Sequence, residues 1–494
     1  MRPFAEWLEF HAAARPEHPA LVHEDETLDY AALAARARQL ARWLRDERGL
    51  EPGARVAWLG ANAPDQLALV FACAYTGLIL LPLNWRLSDA EIGVILADAG
   101  VALAILDVST AERAAALAGV PVVRARHGDA PRLPEPAVVD FGAPRPDPSR
   151  GVLLVYTSGT TGSPKGALLT QAALASNAVN AVHMHELSAA DRVLTVLPMF
   201  HVGGLNIQTL PALSQGATVL LETRFDPART LARIARERPT LTVQVPATLA
   251  ALIAHPDWAA TDLDCLRACA TGSTDVPLPL IEALHARGVP VIQIYGATET
   301  GPVAIYQRIE EAFSHAGGIG RCGLETEIRL VDEQGNDVPD GTPGEVLVRG
   351  AHCALGYWNA ARGAVEAFAD GWFASGDVAE RDADGYYWFK DRRKHVIISG
   401  GENIYPAELE RVLAASGRLR EAAVAARPDP HWGQVPVVVA VRGAEPLERD
   451  AVLALFDGRI ARYKHPKDVV FVDALPRNAM GKVEVVKLRE LARG

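Results

Sequence analysis

Residues 156–166 read Tyr156-Thr157-Ser158-Gly159-Thr160-Thr161-Gly162-Ser163-Pro164-Lys165-Gly166, directly after the apolar run Val152-Leu153-Leu154-Val155. Five serine and threonine hydroxyls, three glycines and one lysine fall within eleven positions. A strand that empties into such a loop suits an anion such as phosphate. Glycines let backbone N–H groups approach it, hydroxyls donate further hydrogen bonds, and the lysine adds charge. The spacing is not the Gly-x-x-x-x-Gly-Lys-Ser/Thr of common nucleotide triphosphatases, because Lys165 lies between Pro164 and Gly166. Nor is it a plain Ser/Gly linker, since Pro164-Lys165-Gly166 breaks that composition and an apolar helix pattern follows.

Working outward, 494 residues at ~150 per domain suggest about three domains, and 49% apolar residues can fill large cores. The net charge of −11, from 49 basic and 60 acidic residues, argues against nucleic acid or an anionic membrane surface held by bulk charge. Five scattered cysteines fit a reducing compartment, so a cytoplasmic protein is expected. Cys265 and Cys269 have poor spacing for zinc. The N-terminal residues show no signal-peptide core. The apolar run Leu67 to Leu83 contains Thr76, Gly77 and Pro82, and reads as a buried helix and strand rather than a membrane span. Oligomeric state is not legible.

The first half alternates strand and helix signals. Strands are expected at Arg55 to Leu59, Leu78 to Leu83 and Val101 to Leu106, and helices from Asp65 to Tyr75 and from the Ser88/Glu91 capping box to about Asp98. Seven prolines in 121–148 mark a surface connection. Further strands are expected at Arg192 to Leu197, Ala217 to Leu221, Leu241 to Gln244 and Val289 to Ile294. This is α/β patterning with mostly parallel sheets. From about residue 325 antiparallel hairpin signals take over, with turns at Gln334-Gly335-Asn336 and Asp382-Ala383-Asp384-Gly385. The expected architecture is a large N-terminal domain (1–390) of βα-built sheets plus a β-rich subdomain, a hinge at the charged run 391–394, and a small mobile α+β C-terminal domain (395–494). Gly318-Ile319-Gly320-Arg321-Cys322-Gly323 fits a dinucleotide fingerprint in letters only, because neither a strand before it nor a helix after it is expected.

Several further motifs follow in order: Leu197-Pro198-Met199-Phe200-His201, Tyr295-Gly296-Ala297-Thr298-Glu299-Thr300, Gly371-Trp372-Phe373-Ala374-Ser375-Gly376-Asp377, Asp391-Arg392-Arg393-Lys394, Ile398-Ser399-Gly400-Gly401-Glu402-Asn403, and Pro476-Arg477-Asn478-Ala479-Met480-Gly481-Lys482. Together with the loop at 156–166, they resemble over nearly the whole chain the conserved blocks of the adenylate-forming enzymes. That family comprises acyl- and aryl-CoA synthetases, peptide-synthetase adenylation domains and firefly-type luciferases. The resemblance implies that a carboxylate attacks the α-phosphorus of ATP to give acyl-AMP and pyrophosphate, after which the thiol of coenzyme A displaces AMP. Two anions must be brought together, so cations and oriented donors carry the first step.

Residue by residue, the resemblance implies that Thr157, Ser158, Gly159, Thr160, Thr161, Gly162 and Lys165 contact the β- and γ-phosphates. Thr298 would hold the α-phosphate and Glu299 would bind Mg²⁺. Tyr295 and Gly296, with Ala270, Thr271 and Gly272, would line adenine. Asp377 would accept the ribose hydroxyls, supported by Arg392. Lys482, on the mobile domain, would touch the substrate carboxylate and α-phosphate. Rotation about Lys394 would withdraw it and bring Gly400 and Gly401 to the pantetheine tunnel. His201 would lie between acyl pocket and thiol tunnel. Val202, Gly203, Gly204, Asn206, Val245, Pro246, Ser273 and Ile294 would line the acyl group.

The chain departs from the family pattern at Ser375, at His395 where aspartate is usual, at Asn478-Ala479-Met480, and at Thr271-Gly272-Ser273. Malonyl-CoA synthetases are broadly similar but carry arginine where this chain has Ile294. A monocarboxylic acid, aliphatic or aromatic, is therefore expected. Two other readings remain open from the sequence: a ligase that loads a carrier-protein phosphopantetheine, and a non-catalytic nucleotide- or acyl-binding protein.

Overall fold

The computed structural model describes residues 2–117, 119–124, 147–157, 164–272, 276–359, 367–399, 402–430, 432–445, 447–478 and 481–493. Two sheets built from βα units form the larger part. In the first, strands Val122–Arg124, Val101–Leu106, Arg55–Leu59, Ile79–Leu83 and Gly151–Thr157 run parallel in that spatial order. Lys165–Thr170 returns antiparallel on the edge. The second sheet has nine strands, of which Val291–Tyr295, Ala268–Gly272, Leu241–Gln244, Arg192–Thr195, Thr218–Leu221 and Pro19–His23 are parallel. Strands buried on both faces read as unbroken apolar runs, as in Ile79–Leu83, where all five residues are buried.

Local signals set the boundaries. Ser88 and Glu91 form the reciprocal capping box that starts Asp89–Ala99, and Gly100 closes that helix in the left-handed region with φ 58°. The apolar helix pattern after the phosphate-type loop begins only at Gln171; the strand Lys165–Thr170 precedes it. Most of the proline-rich connection lies outside the described residues. The Gly318–Gly323 stretch contains the short strand Arg321–Cys322 and is followed by the strand Glu327–Val331 rather than a helix.

Beyond this, Glu327–Val331, Gly344–Arg349, Phe368–Ala369, Trp372–Arg381 and Tyr387–Arg392 form an antiparallel sheet. Arg392 still pairs with Asp377. After a short turn at Arg393–His395 the chain enters a separate sheet of strands Ile397–Ser399, Glu402–Ile404, Leu419–Asp429, Gly433–Arg442 and Asp468–Phe471. Helices Pro406–Ser416 and Val485–Arg493 cover it. Leu409, Leu413, Val438 and Phe456 form one apolar cluster there, and Val437, Val439, Leu475 and Leu488 another. This C-terminal unit thus has its own core and is joined by a single strand of chain. No helix among the described residues is long and apolar enough to cross a membrane.

Candidate active site

In parallel α/β sheets, side chains for chemistry gather where strands end at their carboxyl edges. Here Leu241–Gln244, Ala268–Gly272 and Val291–Tyr295 end side by side, and the segments leaving them supply Val245 and the turn Tyr295–Thr300. Gly272 pairs with Ile294, and a Cβ at Gly272 would stand 2.4 Å from the Ile294 carbonyl oxygen. A Cβ at Gly296 would stand 1.8 Å from that of Pro302. Both glycines expected around adenine are therefore required by close backbone approach as well. Ala270 and Thr271 are buried in the same strand, and the Thr271 hydroxyl has no hydrogen-bond partner.

Glu299 sits in the 3-10 turn Thr298–Thr300, which Thr300 braces by accepting from the Ala297 N–H at 2.8 Å. The Glu299 side chain is buried, with Oε1 accepting from Tyr357 Oη at 2.6 Å. Burial and the adjacent Glu299 charge push the Tyr357 phenol far up. Lys165 Nζ lies 5.3 Å from the centroid of the Tyr357 ring, within cation–π range. Tyr357 is bridged through its backbone to Ala167, and Trp358 N–H donates to the Gly166 carbonyl at 2.7 Å. One tyrosine thus ties the lysine of the phosphate-type hairpin to the carboxylate in the turn after Val291–Tyr295. Sequence reasoning missed Tyr357; an aromatic directly after a glycine in Leu355-Gly356-Tyr357 was its only signal. Thr157 and Lys165 face each other in register, and the intervening Ser158, Gly159, Thr160, Thr161 and Gly162 lie outside the described residues. So do Ser273, Gly400 and Gly401.

Asp377 is buried and receives Tyr295 Oη on Oδ2 at 3.1 Å. Arg392 Nε is 3.1 Å from Oδ1, but the alignment is not that of a hydrogen bond, so Oδ1 keeps an unused acceptor. Burial pushes the Asp377 carboxyl above its ordinary range, opposed by Arg392, Tyr295, Lys482 and His395. Lys482 reaches this neighbourhood from the C-terminal unit. Burial and Arg392 lower its ammonium, while Asp377 and Glu299 support its charge.

His201 caps Val202–Asn206: its Nδ1 accepts from Gly203 N–H at 3.0 Å. That bond assigns the proton to Nε2. Burial, then the charge of Lys482, push the imidazole down to about 4, so it is neutral near pH 7. Asn206 donates to the Gly301 carbonyl at 2.8 Å, and its Oδ1 is buried without a partner. A Cβ at Gly203 would meet only the His201 ring and Ile207 within 4 Å, whereas at Gly204 it would strike the Pro198 carbonyl at 2.3 Å. Gly204 is therefore structural, and at Gly203 a Cβ would press on His201 Nδ1 at 3.2 Å. Val202 and Ile294 are buried, and Val245 occupies the N-cap position of the helix Pro246–Ile253. Lys394 lies in the connecting turn, its carbonyl accepting from Arg489 Nη2 at 2.7 Å.

The arrangement brings three cations (Lys165, Arg392, Lys482), two buried carboxylates (Glu299, Asp377) and a neutral histidine to the edge of the parallel sheet, which suits joining two anionic substrates. The profile of the AMP-binding enzyme family matches residues 8–358, and that of the AMP-binding enzyme C-terminal domain matches residues 408–482. The indoleacetate–CoA ligase of Aromatoleum aromaticum is 46% identical over 508 residues, covering 99% of this chain and 98% of its own. A feruloyl-CoA synthase of an Amycolatopsis species is 39% identical, covering 97% of this chain and 96% of its own. The structure of the O-succinylbenzoate coenzyme A synthetase of Bacillus subtilis in complex with ATP and magnesium superposes with a TM-score of 0.87 at 30% identity, covering 99% of each chain.

Proposed function

The chain belongs to the AMP-binding enzyme family and is an AMP-forming acid–CoA ligase, and on that premise we propose that its acid is an aromatic monocarboxylic acid. The observation that carries the monocarboxylic part of the choice is Ile294, and the aromatic part rests on the relatives named above. Ile294 is buried and apolar where a second carboxylate of the substrate would need a cation. Val202 and Val245 add apolar surface. The names of the indoleacetate and feruloyl relatives favour the same class.

In this reading the substrate carboxylate attacks the α-phosphorus of ATP. A new oxygen–phosphorus bond forms, the bond to the β-phosphate oxygen breaks, and pyrophosphate leaves. Lys482 offsets the charge that builds up between carboxylate and α-phosphate, and Thr298 donates to the phosphate. Lys165, with the hairpin residues from Thr157, receives the leaving pyrophosphate. Asp377 Oδ1, an unused acceptor, suits a ribose hydroxyl. Glu299 fits Mg²⁺: Tyr357 occupies only Oε1, and the buried carboxylate is a hard oxygen ligand. The ion, when bound, neutralises part of the triphosphate charge. In the second step the CoA thiolate attacks the acyl carbon and AMP leaves. A neutral His201 adds no competing charge at that carbon. The lid begins after the hinge at 391–394, and withdrawing Lys482 opens the approach for the thiol.

AMP release in the presence of CoA, measured over a panel of indole-3-acetate, ferulate, benzoate, hexanoate, malonate and succinate, tests the substrate class. Aromatic acids should exceed the two dicarboxylates by about a hundredfold or more in kcat/KM, since an unpaired carboxylate would be buried against Ile294. Efficient turnover of malonate or succinate, or a preference for hexanoate over every aromatic acid, would overturn the assignment.

A further inference from the structure

The connection between the two units holds a contact that the residue roles above do not use. Asp391 is buried in Tyr387–Arg392, where it pairs with Val378 of the antiparallel sheet. Its Oδ1 accepts from Arg392 N–H at 2.6 Å. Its Oδ2 reaches across the junction and accepts from Ala407 N–H at 2.8 Å. Ala407 is the second residue of Pro406–Ser416, the first helix of the C-terminal unit. That helix has no cap of its own, because its N-cap Tyr405 makes no side-chain hydrogen bond and Pro406 has no N–H. A carboxylate at this point satisfies a free donor and complements the positive end of the helix. His395 Nδ1 lies 3.6 Å from the same carboxylate. The C-terminal unit has its own core, so relative motion is the default unless specific contacts hold it.

We propose that Asp391 is a positioning residue for the adenylation half-reaction: from the antiparallel sheet it caps the first helix of the C-terminal unit and so holds that unit where Lys482 enters the site. The second half-reaction does not need Lys482 in place and so does not need the cap. The inference rests on the assignment of Lys482 to adenylation. It adds that the lid's rest position is set by a side chain outside the lid.

The test separates the half-reactions. Acid-dependent exchange of pyrophosphate into ATP reports adenylation. Thioester formation from supplied indole-3-acetyl adenylate and CoA reports the second step. Asp391→Ala should lower exchange about fivefold, the size of one lost helix cap, and leave the second step within about twofold. Asp391→Asn, which can still accept from Ala407 N–H, should recover at least about half of the loss. A parallel fall of both steps in Asp391→Ala, the signature of general misfolding, would overturn the proposal, as would unchanged exchange. An asparagine variant as impaired as alanine would overturn the capping role. Unsubstituted protein that shows no exchange with any acid of the panel would instead overturn the ligase reading and this inference with it.

Discussion

Tyr357 Oη donates to Glu299 Oε1 at 2.6 Å, so the carboxylate expected to hold magnesium is oriented by a tyrosine 58 residues away in sequence. The same ring lies beside Lys165. Tyr357 therefore links the carboxylate proposed to bind the metal to the lysine proposed to bind phosphate. Tyr357→Phe keeps the ring and removes the donor. A hydrogen bond to a charged group is worth about 1.5–3 kcal/mol, so pyrophosphate exchange should fall about tenfold or more. The magnesium concentration needed for half-maximal exchange should rise. Unchanged magnesium dependence would show that the tyrosine does not orient the ligand.

The neutral state of His201 gives a prediction with a definite sign. Its imidazole is pushed down to about 4, whereas the ordinary value is 6.5. An unfolded chain therefore takes up this proton first as pH falls. The histidine contributes its full stability above about pH 6.5 and loses it progressively toward pH 4. Between pH 6 and 8 it stays uncharged in the folded protein, so the pH profile of kcat/KM should carry no inflection from it. An inflection near pH 6.5 that disappears in His201→Asn would contradict the assignment.

Gly272→Ala would push a methyl group to 2.4 Å from the Ile294 carbonyl oxygen. The strands Ala268–Gly272 and Val291–Tyr295 would have to separate at their carboxyl ends, where the nucleotide is expected. Overpacking of this kind costs about 1–3 kcal/mol, and backbone rather than a flexible side chain must yield here. The thermal midpoint should fall by several degrees and the KM for ATP should rise together with it. A variant with unaltered stability and ATP affinity would show that the close approach is dispensable.

Much of the parallel framework was legible because its signals are local. Val101–Leu106 is a continuous apolar run, Leu241–Gln244 alternates apolar and polar residues, both match their expected limits, and Ser88 and Glu91 announce their helix three residues apart. The expected strand Arg192 to Leu197 stops at Thr195, since an apolar run alone does not show where pairing with neighbours ends. The edge strand Lys165–Thr170 was not anticipated, because a loop rich in glycine and hydroxyls gives no sign of which way the chain returns. Candidate site residues were readable only where motifs name them, as at Asp377 and Glu299. The contacts of Tyr357 with Glu299 and of Asp391 with Ala407 join residues on separate elements, and no periodicity records such a meeting.

The most direct test compares the unsubstituted protein with Lys482→Ala in the two half-reactions, using the aromatic acid that gives the fastest AMP release. Lys482 is half-buried and interacts electrostatically with Asp377, Glu299 and Arg392, so its loss should remove charge stabilisation specific to the first step. Exchange of pyrophosphate into ATP should require the acid and should fall by about a hundredfold or more in the variant, while thioester formation from the supplied acyl-adenylate stays within a few-fold. Exchange that persists undiminished in Lys482→Ala, or that proceeds without any acid, would contradict the mechanism at its centre.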